Sequence, residues 1–284
     1  LVELPLALMN EGDLMLLPDP GYPDYLSGVA LAKANYETMP LRKENHYLPD
    51  YTELTASQKQ AAKLLYINYP NNPTGAVADL GFFNETVQLA KANDIGIVHD
   101  FAYGAIGFDG KKPVSFLEAE GAKEVGVELY TFSKTYNMAG WRVGFAAGNA
   151  KIIEALEILQ DHLYCSLFPA VQLAAVAALT ESQQCVQDMV NLYERRRSVL
   201  VEACEEIGWH ITAPAGSFFA WLPVPKGFIS TSFSDFLLEH ANVGVAPGNG
   251  FGKYGEGYVR VGLIIAESRI REAMRRIGKL GLFK

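Results

Sequence analysis

Lys134 and Arg142 stand eight positions apart in the stretch Thr131-Phe132-Ser133-Lys134-Thr135-Tyr136-Asn137-Met138-Ala139-Gly140-Trp141-Arg142. An apolar run, Val127–Tyr130, leads into it, and a second, Val143–Ala147, leads out. A lysine on a polar turn between two buried runs must be solvated, paired or chemically employed, because a buried ammonium is costly and tends to lose its proton. An amine perturbed in that way is the kind that forms Schiff bases with carbonyl compounds. Taken alone, a loop lysine is more often a solvated charge, and only its surroundings decide between the two readings. Asn72 and Asp100 also lie just past apolar runs, and Tyr103 stands three residues past Asp100.

The elements that must position these groups can be read from hydrophobic spacing. Leu14–Leu17 predicts a strand closed by the rigid turn Pro18-Asp19-Pro20-Gly21-Tyr22-Pro23. A weak helix is expected over Tyr25–Ala32, a strand over Tyr36–Leu41, a helix over Tyr51–Lys63 and a core strand over Lys63–Asn68. Leu80, Phe83, Val87 and Ala90 give Asp79–Asn93 a helical period, with Asp79 as N-cap. Ile95–Val98 is the next strand and runs into His99-Asp100, and a helical piece around Ser115–Glu118 precedes Val127–Tyr130. Short, continuously apolar strands alternating with helices predict an α/β fold whose mostly parallel sheet is flanked by helices. Ligands of such sheets bind beyond the carboxyl ends of the strands. Asn72, Asp100 and Lys134 each lie just past such an end.

Helices are then expected over Lys151–His162 and Ala170–Thr180, and a long amphipathic one over Gln184–Ile207, ended by Gly208. The simplest reading puts Arg195-Arg196-Arg197 on a solvated face of the long helix. Trp209–Thr212, Ser217–Leu222 and Tyr258–Leu263 read as strands, Phe233–His240 and Glu267–Lys279 as helices. These pieces form a smaller α+β unit. The expected division is a large domain over residues 1–181 and a small C-terminal domain over 182–284.

The bulk properties narrow the class. A chain of 284 residues with 49% hydrophobic and 20% charged side chains can bury a large core. A net charge of −8 with scattered Lys and Arg argues against nucleic acid or an anionic membrane as the main partner. Cys165, Cys185 and Cys204 form no CxxC pair and no cluster with histidine, which suits reduced thiols in the cytoplasm and gives no metal site. No apolar run reaches the ~20 residues that span a bilayer. Leu1-Val2-Glu3-Leu4-Pro5 reads like the middle of a helix, so an N-terminal portion of the natural protein is expected to be absent from the chain.

Four pieces, taken in order, resemble the class I/II aminotransferases, the fold-type-I enzymes dependent on pyridoxal 5′-phosphate. They are Asn72-Pro73-Thr74-Gly75, the Asp100/Tyr103 pair, Ser133-Lys134 with Gly140-Trp141-Arg142, and Tyr258-Val259-Arg260. Each is weak alone, and the ordered set is specific. The resemblance implies Lys134 as the Schiff-base lysine and proton carrier, and Asp100 as the partner of the cofactor's ring nitrogen. It implies Tyr103 and Asn72 on the phenolic oxygen, and Arg142 with the Thr131 and Ser133 hydroxyls on the phosphate. Tyr22 would stack on the ring, and Arg260 would clamp the substrate carboxylate, with Asn72 close by. A strand-end carboxylate, a turn asparagine, a core tyrosine and an ion-paired arginine are the plainer readings of Asp100, Asn72, Tyr22 and Arg260.

The resemblance further implies a homodimer with shared active sites, to which Tyr164–Phe168 of one subunit would contribute. The family's N-terminal segment and its Gly- and Ser-containing phosphate-binding helix start have no counterpart in the chain. The runs Asn68–Ala78 and Ala246–Gly252 are most similar to the branch of LL-diaminopimelate and methionine-forming transaminases. The expected activity is exchange of an amino group between an amino acid and a 2-oxo acid, with methionine/4-methylthio-2-oxobutyrate or LL-diaminopimelate as substrates. A C–S β-lyase on the same scaffold is the alternative, and a pyridoxal-phosphate-binding regulator the alternative of another class.

Overall fold

Five parallel strands and one antiparallel strand form the main sheet in the computed structural model, which describes residues 1–283. In chain order they are β1 (Leu14–Asp19), β2 (Asn35–Pro40), β3 (Ala62–Ile67), β4 (Gly96–Asp100), β5 (Gly126–Thr131) and β6 (Gly144–Gly148). Their spatial order is β2-β1-β3-β4-β5-β6, and only β6 runs against its neighbour. Met15, Leu65, Ile97, Val98 and Val127 are wholly buried. Successive side chains of a strand point to opposite faces. Leu16, Leu65 and Ile97 therefore join one core, with Phe83, Val87 and Ala90 of the Leu80–Asn93 helix. Met15, Leu64, Val98 and Val127 join the other, with Val29 and, at its margin, Leu156.

A smaller antiparallel sheet follows: β7 (Phe219–Pro223), β8 (Ala246–Pro247) and β9 (Tyr258–Gly262), in the order β7-β9-β8. Helices Gln184–Glu206, Ser230–Ala241 and Glu267–Gly278 cover it, burying Leu200, Phe233, Leu237, Met274 and Ile277. Tyr103, Ile106 and Phe108 from the first half also pack into this core. Among the described residues no helix is long and apolar enough to cross a membrane.

The mixed α/β architecture and its mostly parallel sheet agree with the expectation from spacing. Tyr25–Ala32 is helical, and Asp79 caps its helix by accepting from the Phe82 N–H at 2.8 Å. Between Tyr51 and Lys63, however, only Ala56–Ala61 is helical. Thr55 and Gln58 form a capping box that starts that helix late, and β3 begins directly at Ala62. Trp209–Thr212 is no strand: Trp209 is a core anchor, stacked on Phe283 at 4.6 Å and donating from Nε1 to the Pro223 carbonyl.

The arginine run is not a solvated face either. Three consecutive helical residues sweep about 200° and cannot all face outward. Arg197 is buried, with a two-pronged pair to Asp109 (2.8 and 2.6 Å), and Arg196 donates to the Leu263 carbonyl. The two-residue strand β8 is too short to have shown in the pattern.

Candidate functional site

Because β1 and β3–β5 are parallel, their carboxyl ends share one rim of the sheet, and a cavity of about 830 Å³ opens there. Lys134, Asp100, Tyr103, Asn72, Thr131, Ser133, Arg142 and Tyr22, all singled out above, line it. Arg260 does not. It lies one hydrogen bond behind the wall, donating from Nη1 to Asn72 Oδ1 at 2.7 Å. The 164–168 segment is also outside the lining, and Tyr164 and Phe168 are exposed.

Lys134 sits in the one-turn helix Phe132–Thr135 that follows β5. Thr131 caps this turn by accepting from the Ser133 N–H (3.1 Å), and its hydroxyl donates to Ser133 Oγ (3.0 Å). The two hydroxyls are thereby fixed at the cavity wall. The Lys134 ammonium stands 5.6 Å from the centre of the Phe218 ring. Arg142 closes the return turn with a left-handed backbone (φ 53°); it is exposed, and its Nη1 donates to the Ala139 carbonyl.

Asp100 is the last residue of β4 and is buried. Its Oδ2 accepts from the Tyr25 hydroxyl at 2.8 Å, and its backbone carbonyl accepts from Asn68 Nδ2 at 2.7 Å. Burial pushes its carboxyl above the usual carboxylate range, and the Tyr25 hydrogen bond opposes that rise. Next to it, His99 Nδ1 bonds Glu128 Oε2 across the β4–β5 pair at 2.9 Å, and Glu128 also accepts from Ser115 Oγ and the Phe116 N–H. Tyr103 is buried edge-on against Phe218 and Phe219, and its hydroxyl is held protonated first by burial and then by the Asp100 charge.

Asn72 is placed by a side-chain ladder. Asn68 Oδ1 accepts from the Asn72 N–H, and Asn71 Oδ1 accepts from the Thr74 N–H and hydroxyl. Gly75 closes this turn at φ +70° with its backbone against Pro214 and Phe219, an approach that leaves no room for a Cβ. Arg260, on β9 opposite Trp221, is half-buried against two rings, with Phe219 at 4.0 Å and Phe251 at 4.5 Å. Tyr22 lies at the cavity mouth and donates to Asp24 Oδ2 (2.6 Å); that bond, with partial burial, pushes its phenol up to about 12.

Three contributors were not anticipated. Tyr25 read only as a helix start, Asn68 as the end of a strand, and Phe251 as one member of the run Ala246–Gly252. Each acts through contacts to residues distant in sequence, which spacing does not reveal.

Residues 1–277 match the model of the family described as aminotransferase class I and II. The chain is 64% identical over 283 residues to the L-glutamine–4-(methylsulfanyl)-2-oxobutanoate aminotransferase of Bacillus subtilis, covering all of this chain and 71% of that protein. It is 45% identical over 280 residues to the LL-diaminopimelate aminotransferase of Moorella thermoacetica, covering 99% of this chain and 72% of the relative. The apo structure of BacF from Bacillus subtilis superposes with a TM-score of 0.96 at 47% identity, over 99% of this chain and 72% of that one.

Proposed function

The chain belongs to the class I and II aminotransferases, and from that premise we propose that it passes the amino group of glutamine to 4-(methylsulfanyl)-2-oxobutanoate, yielding methionine. It is a pyridoxal-phosphate-dependent aminotransferase acting on small amino acids and 2-oxo acids. The choice of this substrate pair is supported by the 64% identity to a relative named for it. The observation that carries the choice of site is the meeting of Lys134, Asp100, Tyr103 and Asn72, from three different strand ends, at one cavity.

The donor set suits the cofactor. Its members are a primary amine, a buried carboxylate, a neutral phenol and amide, and a guanidinium beside two hydroxyls. About 830 Å³ is also within the range of cofactor sites. Lys134 would hold the aldehyde carbon and Asp100 the ring nitrogen. Tyr103 and Asn72 would take the phenolic oxygen, Arg142, Thr131 and Ser133 the phosphate, and Tyr22 a face of the ring. When bound, pyridoxal phosphate supplies an aldehyde that takes up the amino group and a ring that accommodates the electron pair left at the substrate Cα.

The chain's own residues do the rest. Lys134 Nζ is the base that takes the proton from the substrate Cα. Burial makes an isolated Asp100 carboxylate unfavourable, so a cationic ring nitrogen is the partner that keeps it ionised. Asn72 Oδ1 is occupied by Arg260, which leaves its Nδ2 to donate to the phenolic oxygen. The Arg260 guanidinium, steadied by two rings and by Asn72, would be the two-pronged clamp for the α-carboxylate at the edge of the cavity. The clamp orients the substrate so that its Cα–H faces the lysine.

We assign residues 1–181 to the large domain and 182–284 to the small one. A cytoplasmic homodimer with shared active sites is the assembly we propose. Three free thiols support the compartment. Exposed Ile158, Leu163, Leu173 and Val176 on two consecutive helices, with Phe168 between them, support an apolar subunit contact.

The substrate assignment is tested by comparing kcat/KM for glutamine with 4-(methylsulfanyl)-2-oxobutanoate against LL-diaminopimelate with 2-oxoglutarate. A preference of at least about tenfold for the first pair is expected. A preference for the second would move the chain to the diaminopimelate reaction. Elimination from a β-thioether substrate without amino transfer would point to a lyase.

A further inference from the structure

Asp19 ends β1 and is 4% exposed, yet nothing in the reaction as described uses it. Its carboxylate reaches a loop more than 230 residues away in sequence: Oδ1 accepts from the Tyr254 N–H at 2.9 Å and Oδ2 from the Lys253 N–H at 3.1 Å. Beside this pair the Gly21 N–H donates to the Phe251 carbonyl at 2.8 Å. Gly252 stands at φ +129°, and a Cβ there would come within 2.2 Å of Asp19 Oδ1. The loop can therefore approach the carboxylate only with glycine at that position. Backbone N–H groups held by an ionised acceptor make short, strong bonds, and two from adjacent residues fix the orientation of the loop as well as its distance.

What the loop carries gives this contact its meaning. The Phe251 ring lies 4.5 Å from the Arg260 guanidinium and packs edge-on against Trp221 at 5.8 Å. Phe219, on β7, also lies against the guanidinium, at 4.0 Å. One of the two rings thus belongs to a sheet strand, and the other to a loop anchored on the turn that follows β1. The anchoring turn also carries Tyr22, a cavity wall residue.

We propose that Asp19 is a positioning residue for substrate binding: it pins the Phe251 loop, and Phe251 in turn holds the Arg260 guanidinium in the plane that receives the substrate carboxylate. The proposal rests on the reading of Arg260 as the carboxylate clamp. It predicts a defect in binding, shared by amino acid and oxo acid, with little change in the chemical step.

The test is steady-state kinetics of the cofactor-loaded holoenzyme, with bound cofactor counted by absorbance, for Asp19→Ala, Asp19→Asn, Phe251→Ala, the double variant and Arg260→Ala. Asp19→Ala should raise KM for both substrates about tenfold, the loss of two hydrogen bonds to a charged group, with kcat within about threefold of the parent. Asp19→Asn should fall between, because its Oδ1 still accepts one N–H while its amide nitrogen faces the other. The Asp19→Ala/Phe251→Ala double variant should bind no worse than the weaker single variant, as expected of residues acting in series. Parental KM values in Asp19→Ala and Asp19→Asn, with Arg260→Ala impaired, overturn the proposal and leave the clamp intact. Parental KM values in Arg260→Ala overturn the clamp itself. A loss confined to cofactor occupancy or to folded protein, equal in the Ala and Asn variants, makes Asp19 a structural residue and also overturns the proposal.

Discussion

Asp100 is a side chain whose burial is costly to the fold and which the proposed reaction requires. Its carboxyl is raised from the ordinary value of 3.8 by burial, so the folded chain disfavours its ionisation. A group with a raised folded pKa contributes fully below its unfolded pKa, and loses that contribution as pH climbs through the folded one. Cofactor-free Asp100→Asn, which keeps an acceptor for the Tyr25 hydroxyl, is therefore expected to gain on the parent in thermal melts as pH rises above about 4. The same variant should lose amino transfer by roughly 10²-fold or more, since no anion then faces the ring nitrogen. A stability difference that shrinks with rising pH would contradict this account of Asp100. At this scale the chemical groups were readable from their types and order, Lys134 and Asp100 foremost. Asn68, Tyr25 and Asp19 were not, because each is recognised only by a partner far along the chain, Asp100 for the first two and the 253–254 backbone for the last.

At the scale of elements, the parallel strands bring the site to one rim and the turns beyond them aim its side chains. The 71–75 turn is a closely packed one. Gly75→Ala would force a Cβ to within 2.6 Å of Pro214 Cβ and 2.9 Å of the Phe219 carbonyl, at a backbone angle that L-residues resist. We expect it to cost about 2–3 kcal/mol in chemical denaturation and to raise KM through displacement of Asn72. Unchanged stability would contradict the close packing of that turn. Strand cores and the Asp79 cap were readable because burial and capping leave local patterns. The late start of the Ala56–Ala61 helix and the buried Arg197 were not, since a capping box outweighs propensity and Asp109 supplies the partner from 88 residues away.

At the scale of the whole molecule, the site depends on contacts between the two halves of the chain. Arg260 meets Asn72 across 188 residues, and Tyr103 packs in the C-terminal core. That coupling was hidden from spacing, although the helix-flanked, mostly parallel sheet was not. The exposed apolar helices give a prediction at the same scale: Leu173, 70% exposed on the Pro169–Thr180 helix, when changed to Glu should shift the particle from dimer to monomer in sedimentation equilibrium. A parent that is already monomeric would remove the proposed assembly. The central claim is that Lys134 is the amine that binds the cofactor aldehyde. Borohydride reduction of the holoenzyme followed by peptide mass mapping tests it most directly. A phosphopyridoxyl group on the peptide containing Lys134 is the predicted result, and the same group on any other lysine would contradict the account.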